Sequence, residues 1–189
     1  VIQALNQKPS VVLRANTIKT TPKELQQILE EENIPETSLV AWSPDAVELK
    51  YPRNVFRTNA FHEGLFEVQD AASQMVSEYL NVKPGMRVID ACAGAGGKTL
   101  HIAALMKNKG KIIAMDVKEK KLAELKKRLS RAGVSIVETK HIDTTKTIKR
   151  LKDSADRLLL DVPCSGLGVL RRNPDAKWKL NADEIERLK

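Results

Sequence analysis

Two patterns of apolar and polar positions divide this chain, and they change near residue 69. In the first part, residues 11–18 and 46–50 read as strands. Between them Thr21-Pro22-Lys23-Glu24 forms a capping box with proline at the first helical position. Leu25, Ile28 and Leu29 then mark one apolar helix face through about Glu32. This predicts a small α+β domain over residues 1–60, with no cluster of residues suited to chemistry. From Gln69 a helix face follows (Ala72, Met75, Val76, Leu80), and Lys83-Pro84-Gly85 reads as a turn. Strands and helices then alternate. Strands are predicted at 87–92, 111–117, 135–142 and 157–162, and helices at 98–107, through Leu122 to a stop at Gly133, and at 146–152. The long helix places Leu122, Leu125, Leu129 and Ala132 on one face. Such alternation predicts an α/β domain over residues 61–189, with a parallel sheet covered on both faces. Ligands then belong outside the carboxyl ends of the strands.

Composition narrows the class. The 189 residues are 42% hydrophobic and 30% charged, which fits a soluble chain with a sizeable core. No apolar run approaches the roughly 20 residues of a membrane span, and no signal peptide opens the chain. A cytoplasmic location with no membrane partner is expected. The two cysteines, Cys92 and Cys164, lie in no Cys-x-x-Cys or His/Cys cluster, so neither a metal site nor a disulfide framework is expected. Net charge is +8 and unevenly spread. Residues 1–60 carry seven basic and seven acidic side chains, whereas residues 61–189 carry 25 and 17. A basic second half suits a polyanion, although a solvated lysine-rich surface accounts for it equally.

The sharpest chemical signal follows the first strand of the second half. Val88-Ile89-Asp90 runs into Ala91, Cys92, Ala93, Gly94, Ala95, Gly96, Gly97 and Lys98. Three glycines between a strand and a helix permit close approach of a ligand to the backbone. Gly97-Lys98-Thr99 matches the end of a P-loop, but Cys92 stands where that pattern needs its first glycine. A dinucleotide turn would want a third glycine where Thr99 stands. A methyltransferase turn tolerates varied spacing, and a plain strand-to-helix turn is the simplest alternative. Acidic residues favour the methyltransferase reading. Asp116 is expected at the end of the second strand, where a carboxylate can accept the ribose hydroxyls. Asp143 is expected to end the third strand and to accept from an adenine amine. Asp161 is expected to end the fourth, beside the methionine end of S-adenosyl-L-methionine.

Asp161-Val162-Pro163-Cys164-Ser165-Gly166, with Gly168 through Trp178, resembles the RNA cytosine-5 methyltransferases of the NOL1/NOP2/Sun family, and most the branch acting on bacterial 16S rRNA. The glycine turn is similar to the family's cofactor turn, with Ala95-Gly96 where Ala-Pro-Gly is usual. Gln69-Asp70-Ala71-Ala72-Ser73 resembles the motif before the core. Val12-Leu13-Arg14-Ala15-Asn16-Thr17 resembles the family's small N-terminal domain. The resemblance covers nearly the whole chain. It implies a Rossmann-like S-adenosylmethionine-dependent core behind a small α+β domain, with RNA, small-subunit rRNA in particular, as partner.

Its chemistry is addition of a thiolate at cytosine C6, which makes C5 able to accept a methyl group. The resemblance assigns the nucleophile to a later Thr-Cys motif, which does not occur in this sequence. Cys164 would assist product release, and Asp161 would hold the base and border the cofactor. The family's sheet has seven strands, and four are predicted here. The chain also opens on Val1 and closes on Lys189 within a helical pattern. A fragment truncated after the fourth strand and inactive alone is therefore expected. Lys98 could reach the reacting base or simply start a helix. Cys92 suits packing or a backbone contact. Arg171, Arg172 and Lys177 suit phosphate contacts or an ordinary surface loop, and Trp178 suits base stacking or anchoring. A P-loop hydrolase and a non-catalytic RNA-binding module are the alternatives.

Overall fold

A computed structural model describes residues 9–162, 164, 166–175, 178 and 186. Residues 11–161 form one compact unit, and the described residues outside that range belong to a second. The larger unit contains two four-stranded sheets.

The first sheet is antiparallel. Its strands are β1 (Val11–Ala15), β2 (Thr37–Leu39), β3 (Ala46–Leu49) and β4 (Phe66–Val68), in the order β2-β3-β1-β4. Helix α1 (Pro22–Glu31) starts at the expected capping box: Thr21 accepts from the Glu24 amide, and Glu24 accepts from the Thr21 amide. It buries Leu25 and Leu29 against Leu13, Val47 and Phe66. Strand β1 stops three residues short of expectation. Asn16 turns the chain there, its carbonyl accepting from the amides of Lys19 and Thr20. Strands β2 and β4 escape the sequence reading because three residues are too few to show alternation. The sheet also takes β4 from beyond residue 60. A short helix, α2 (Asn59–His62), leads into it.

The second sheet is parallel, with strands β5 (Arg87–Asp90), β6 (Lys111–Asp116), β7 (Val137–His141) and β8 (Arg157–Leu159), in the order β7-β6-β5-β8. Its central strands are apolar on both faces, as Ile112, Ile113, Ala114 and Met115 show. The helices are α3 (Ala71–Tyr79), α4 (Gly97–Leu105), α5 (Glu119–Ala132) and α6 (Thr145–Lys149). Helix α5 buries Leu122, Leu125, Leu129 and Ala132, the face expected for it. Helix α3 is rotated from expectation. It buries Ala71, Gln74 and Ser77, while Ala72 and Val76 face solvent. Gln74 is satisfied inside by the Gln69 carbonyl and Ser43, so hydrogen bonding outweighs the apolar count of the other face. Among the described residues no helix is long and apolar enough to cross a membrane.

Polar side chains buried between the sheets hold them together. Arg14 of β1 donates to Gln69 Oε1 at 2.5 Å and to the Gly97 carbonyl at 2.6 Å. Glu67 of β4 accepts from Arg128 at 2.9 Å and from Arg131 at 2.6 Å, both on α5. Asn16 donates to the carbonyls of Gly64 and Ala132. Gly64 adopts φ +70°, and a Cβ there would lie 2.1 Å from the Arg131 carbonyl oxygen. Gly64→Ala should therefore destabilise the fold by about 2–4 kcal/mol, combining left-handed strain with a backbone clash. Urea denaturation measures this, and a midpoint equal to that of the parent would exclude the close approach.

Candidate functional site

The turn between β5 and α4 is shaped by its backbone contacts. The Ala93 amide donates to the Met115 carbonyl, and the Gly96 amide donates to the Ala93 carbonyl. Gly96 sits at φ +88° directly before α4, where a Cβ would fall 2.1 Å from Leu125 Cδ1. Only glycine closes the turn against α5 without displacing that leucine. Arg128 donates to the Ala95 carbonyl at 2.7 Å, so α5 grips the turn from outside. The helix start has no side-chain cap, which leaves its first amides available.

A cavity of about 270 Å³ opens beside this turn. Cys92, Ala93, Gly94, Gly97 and Lys98 line it from the turn and helix start. Gln69, Ser73, Asp90 and Asp161 complete it. Asp116 shapes it from behind. Its two carboxylate oxygens accept the amides of Gly94 at 2.8 Å and Lys118 at 2.7 Å. Each oxygen keeps a lone pair for a further donor. Lys98 and Asp161 form an ion pair at 2.5 Å on the cavity wall. A separate open groove of about 410 Å³ is lined by side chains of α1 and β2, such as Lys23, Glu30 and Leu39, and holds neither the glycine turn nor a carboxylate from the parallel sheet.

Asp90 is the site residue that the sequence reading missed. It ends β5, is 1% exposed, and accepts from Thr99 at 2.7 Å through Oδ2. Oδ1 is buried with no well-aligned donor, although the Cys92 amide lies near enough to favour the charge. Burial raises the Asp90 carboxyl from 3.8 to about 6; the Thr99 and Cys92 donors oppose this, Asp161 adds to it, and Lys98 opposes it. The rule that selected Asp116, an acid at a strand's carboxyl end, applies equally to Asp90. Gln69 and Ser73 come from a motif noticed in the sequence only for its resemblance.

The other expected residues are distributed unevenly. Asp116 is the last residue of β6, as expected, whereas Asp143 and Asp161 lie two residues beyond their strands. Asp143 is exposed and does not line the cavity. It accepts from Thr147 at 2.5 Å at the start of α6, and this bond, with nearby backbone amides, holds its pKa below the usual value. Cys92 is half-buried. Burial and the charges of Asp90, Asp116 and Asp161 push its thiol pKa up, so it is a poor source of thiolate. Cys164 is an exposed free thiol in the smaller unit. Arg171 and Arg172 are exposed there, and Arg172 donates to the Ser10 carbonyl at 3.3 Å. Lys177 lies outside the described residues.

A parallel sheet that presents a glycine turn and strand-end carboxylates at one edge defines a Rossmann-like nucleoside-binding domain. Here it stands behind a small antiparallel α+β domain. The chain belongs to the 16S rRNA methyltransferase RsmB/F family, which it matches over residues 77–189. Residues 1–56 match the ferredoxin-like domain of RsmF/B-like methyltransferases. The chain is 40% identical, over 97% of its length, to the probable ribosomal RNA small subunit methyltransferase B of Synechocystis sp., and covers 41% of that protein. It is 35% identical over its full length to ribosomal RNA small subunit methyltransferase B of Proteus mirabilis, covering 44%. It thus spans less than half the length of these curated relatives. The crystal structure of a methyltransferase homolog protein from Pyrococcus horikoshii superposes with a TM-score of 0.82 at 32% identity, over 97% of this chain and 57% of that one. Family and fold together set aside the P-loop hydrolase.

The raised Asp90 pKa has a pH signature. The folded state holds this proton more tightly than the unfolded state does. Asp90 therefore favours folding fully below about pH 4, and the contribution, on the order of 2–3 kcal/mol, is lost as pH rises to about 6. Asp90→Asn should flatten the stability profile across that window. Urea titrations at several pH values test this, and an unchanged slope would show that Asp90 titrates normally.

Proposed function

We propose that this chain is the cofactor-binding part of an enzyme that uses S-adenosyl-L-methionine to methylate cytosine C5 in RNA, with small-subunit rRNA as the substrate class. The observation that carries this reading is the cavity between the glycine turn and the strand-end aspartates. Gly94 has nothing within 4 Å of where a Cβ would stand, so the turn leaves open space for a ligand. The free lone pairs of Asp116 suit ribose hydroxyls. Asp90 and Asp161 make the cavity acidic, which suits a ligand bearing a sulfonium and an ammonium. These features fit the cofactor. The relatives' names, which specify small-subunit ribosomal RNA, support the substrate class.

When bound, S-adenosyl-L-methionine supplies an electrophilic methyl group. The chain's own residues bind and orient. Cys92, Ala93, Gly94, Ala95, Gly96 and Gly97 bring backbone against the nucleoside. Lys98 holds the Asp161 carboxylate against the cavity wall, where it borders both cofactor and base. Cys92 serves as packing, since its acidic neighbours oppose a thiolate. Asp143 serves the adenine amine only if its carboxylate turns from Thr147. Cys164 assists product release, and Arg171, Arg172 and Lys177 contact phosphate. The antiparallel half contributes a surface for RNA, with residues 61–189 carrying the chemistry. A cytoplasmic location accompanies an rRNA substrate.

Titration calorimetry with S-adenosylhomocysteine tests the central claim. The folded chain should bind it, and Asp116→Ala should weaken binding about 10- to 100-fold through loss of charged hydrogen bonds. Absence of binding by a folded sample would remove the cofactor. An unchanged affinity in the variant would remove the ribose contact.

A further inference from the structure

We propose that His101, Asp45 and Glu78 form a binding site for a divalent transition-metal ion, with zinc the best match to the donor set. The site is separate from the cofactor cavity and independent of the function proposed above. Its three residues come from three elements: Asp45 from the turn before β3, Glu78 from the last turns of α3, and His101 from the middle of α4. Sequence separation hid them, since no short motif joins positions 45, 78 and 101.

The geometry is that of ligands around an ion. His101 Nε2 lies 3.1 Å from Asp45 Oδ2 and 3.6 Å from Glu78 Oε1. All three ligand atoms lie within 4.8 Å of one another. Tetrahedral ligands at about 2.0–2.2 Å from zinc are about 3.3–3.6 Å apart, which the two measured separations bracket. One imidazole nitrogen with two carboxylate oxygens is a donor set that zinc accepts, with a fourth position left for water.

The second, unshared carboxylate favours an ion over a simple hydrogen bond; the unpartnered Nδ1, which an ion on Nε2 would leave protonated without an acceptor, does not. His101 is completely buried, and its Nδ1 has no partner. The ring's one polar tether is therefore at Nε2, facing the carboxylates. A single Nε2 proton can satisfy only one of them. Among the described residues neither carboxylate has another hydrogen-bond or ion-pair partner. Arg14 feels the Asp45 charge, but it is hydrogen-bonded to Gln69 and Gly97 instead. Two carboxylates that meet at one imidazole nitrogen carry the charge that a divalent ion balances. The Asp45 and Glu78 side chains are 13% and 27% exposed, so an ion can enter. Bound there, it would pin the antiparallel sheet to α3 and to the helix that begins at the glycine turn.

The test begins with chelator-treated protein. Titration with zinc should show one equivalent bound and a raised melting temperature. Cobalt substitution should give visible bands of a nitrogen- and oxygen-ligated ion without sulfur-to-metal charge transfer. Glu78→Gln and Asp45→Asn, both at partly exposed positions, should weaken binding about tenfold or more while circular dichroism stays unchanged. No binding by the folded parent would leave a hydrogen-bonded clasp only and overturn the proposal. A sulfur charge-transfer band, which would place the ion on a cysteine, or equal affinity in both variants would overturn it too.

Discussion

The guanidinium of Arg14 is the contact on which the site's geometry depends. It sits in the middle of β1, fully buried, and burial lowers its pKa to about 10 while the Glu67 carboxylate opposes that fall. The side chain therefore stays charged at neutral pH. Hydrogen bonds and the Glu67 charge offset part of the cost of burying this cation. Its Nη1 donates to Gln69 and to the Gly97 carbonyl, at the wall of the cavity and the first residue of α4, while its Nε is buried without a partner. The antiparallel sheet is thus part of the scaffold that positions the glycine turn. The Glu67 pairs with α5, and the Arg128 bond to Ala95, fix the same turn from its other side.

Rigid support of this kind matters because the cavity is electrostatically costly. Asp90, Asp116 and Asp161 converge on a space where Lys98 is the one lining cation among the described residues. Each carboxylate is held differently: Asp90 by Thr99 beneath the turn, Asp116 by two backbone amides, and Asp161 by Lys98. The Asp161 charge adds to the burial that raises the Asp90 pKa, and a cationic ligand relieves that repulsion. The same field suppresses the Cys92 thiolate. An otherwise basic protein thereby carries an acidic pocket.

Much of this was legible from local pattern. The capping box at Thr21, the Leu122–Leu125–Leu129 stripe, the order of strands and helices after residue 87, and the turn at Gly94 and Gly96 are all written in neighbouring residues. What escaped was set by the particular partners that each residue meets in the fold. Three-residue strands such as Thr37–Leu39 and Phe66–Val68 exist because β3 and β1 offer them hydrogen bonds. Helix α3 turns Gln74 inward because Ser43 and the Gln69 carbonyl await it. Asp143 looked equivalent to Asp116, but Thr147, one turn along α6, captures its carboxylate.

The amino-acid sequence by itself determined the alternation of elements, the glycine turn and the family, because each depends on residues within a few positions of one another. Tertiary structure alone decided that Asp143 stays out of the cavity, and that positions 45, 78 and 101 meet. Proximity across separate elements follows from sheet order and helix packing, and no local rule of periodicity or propensity encodes it.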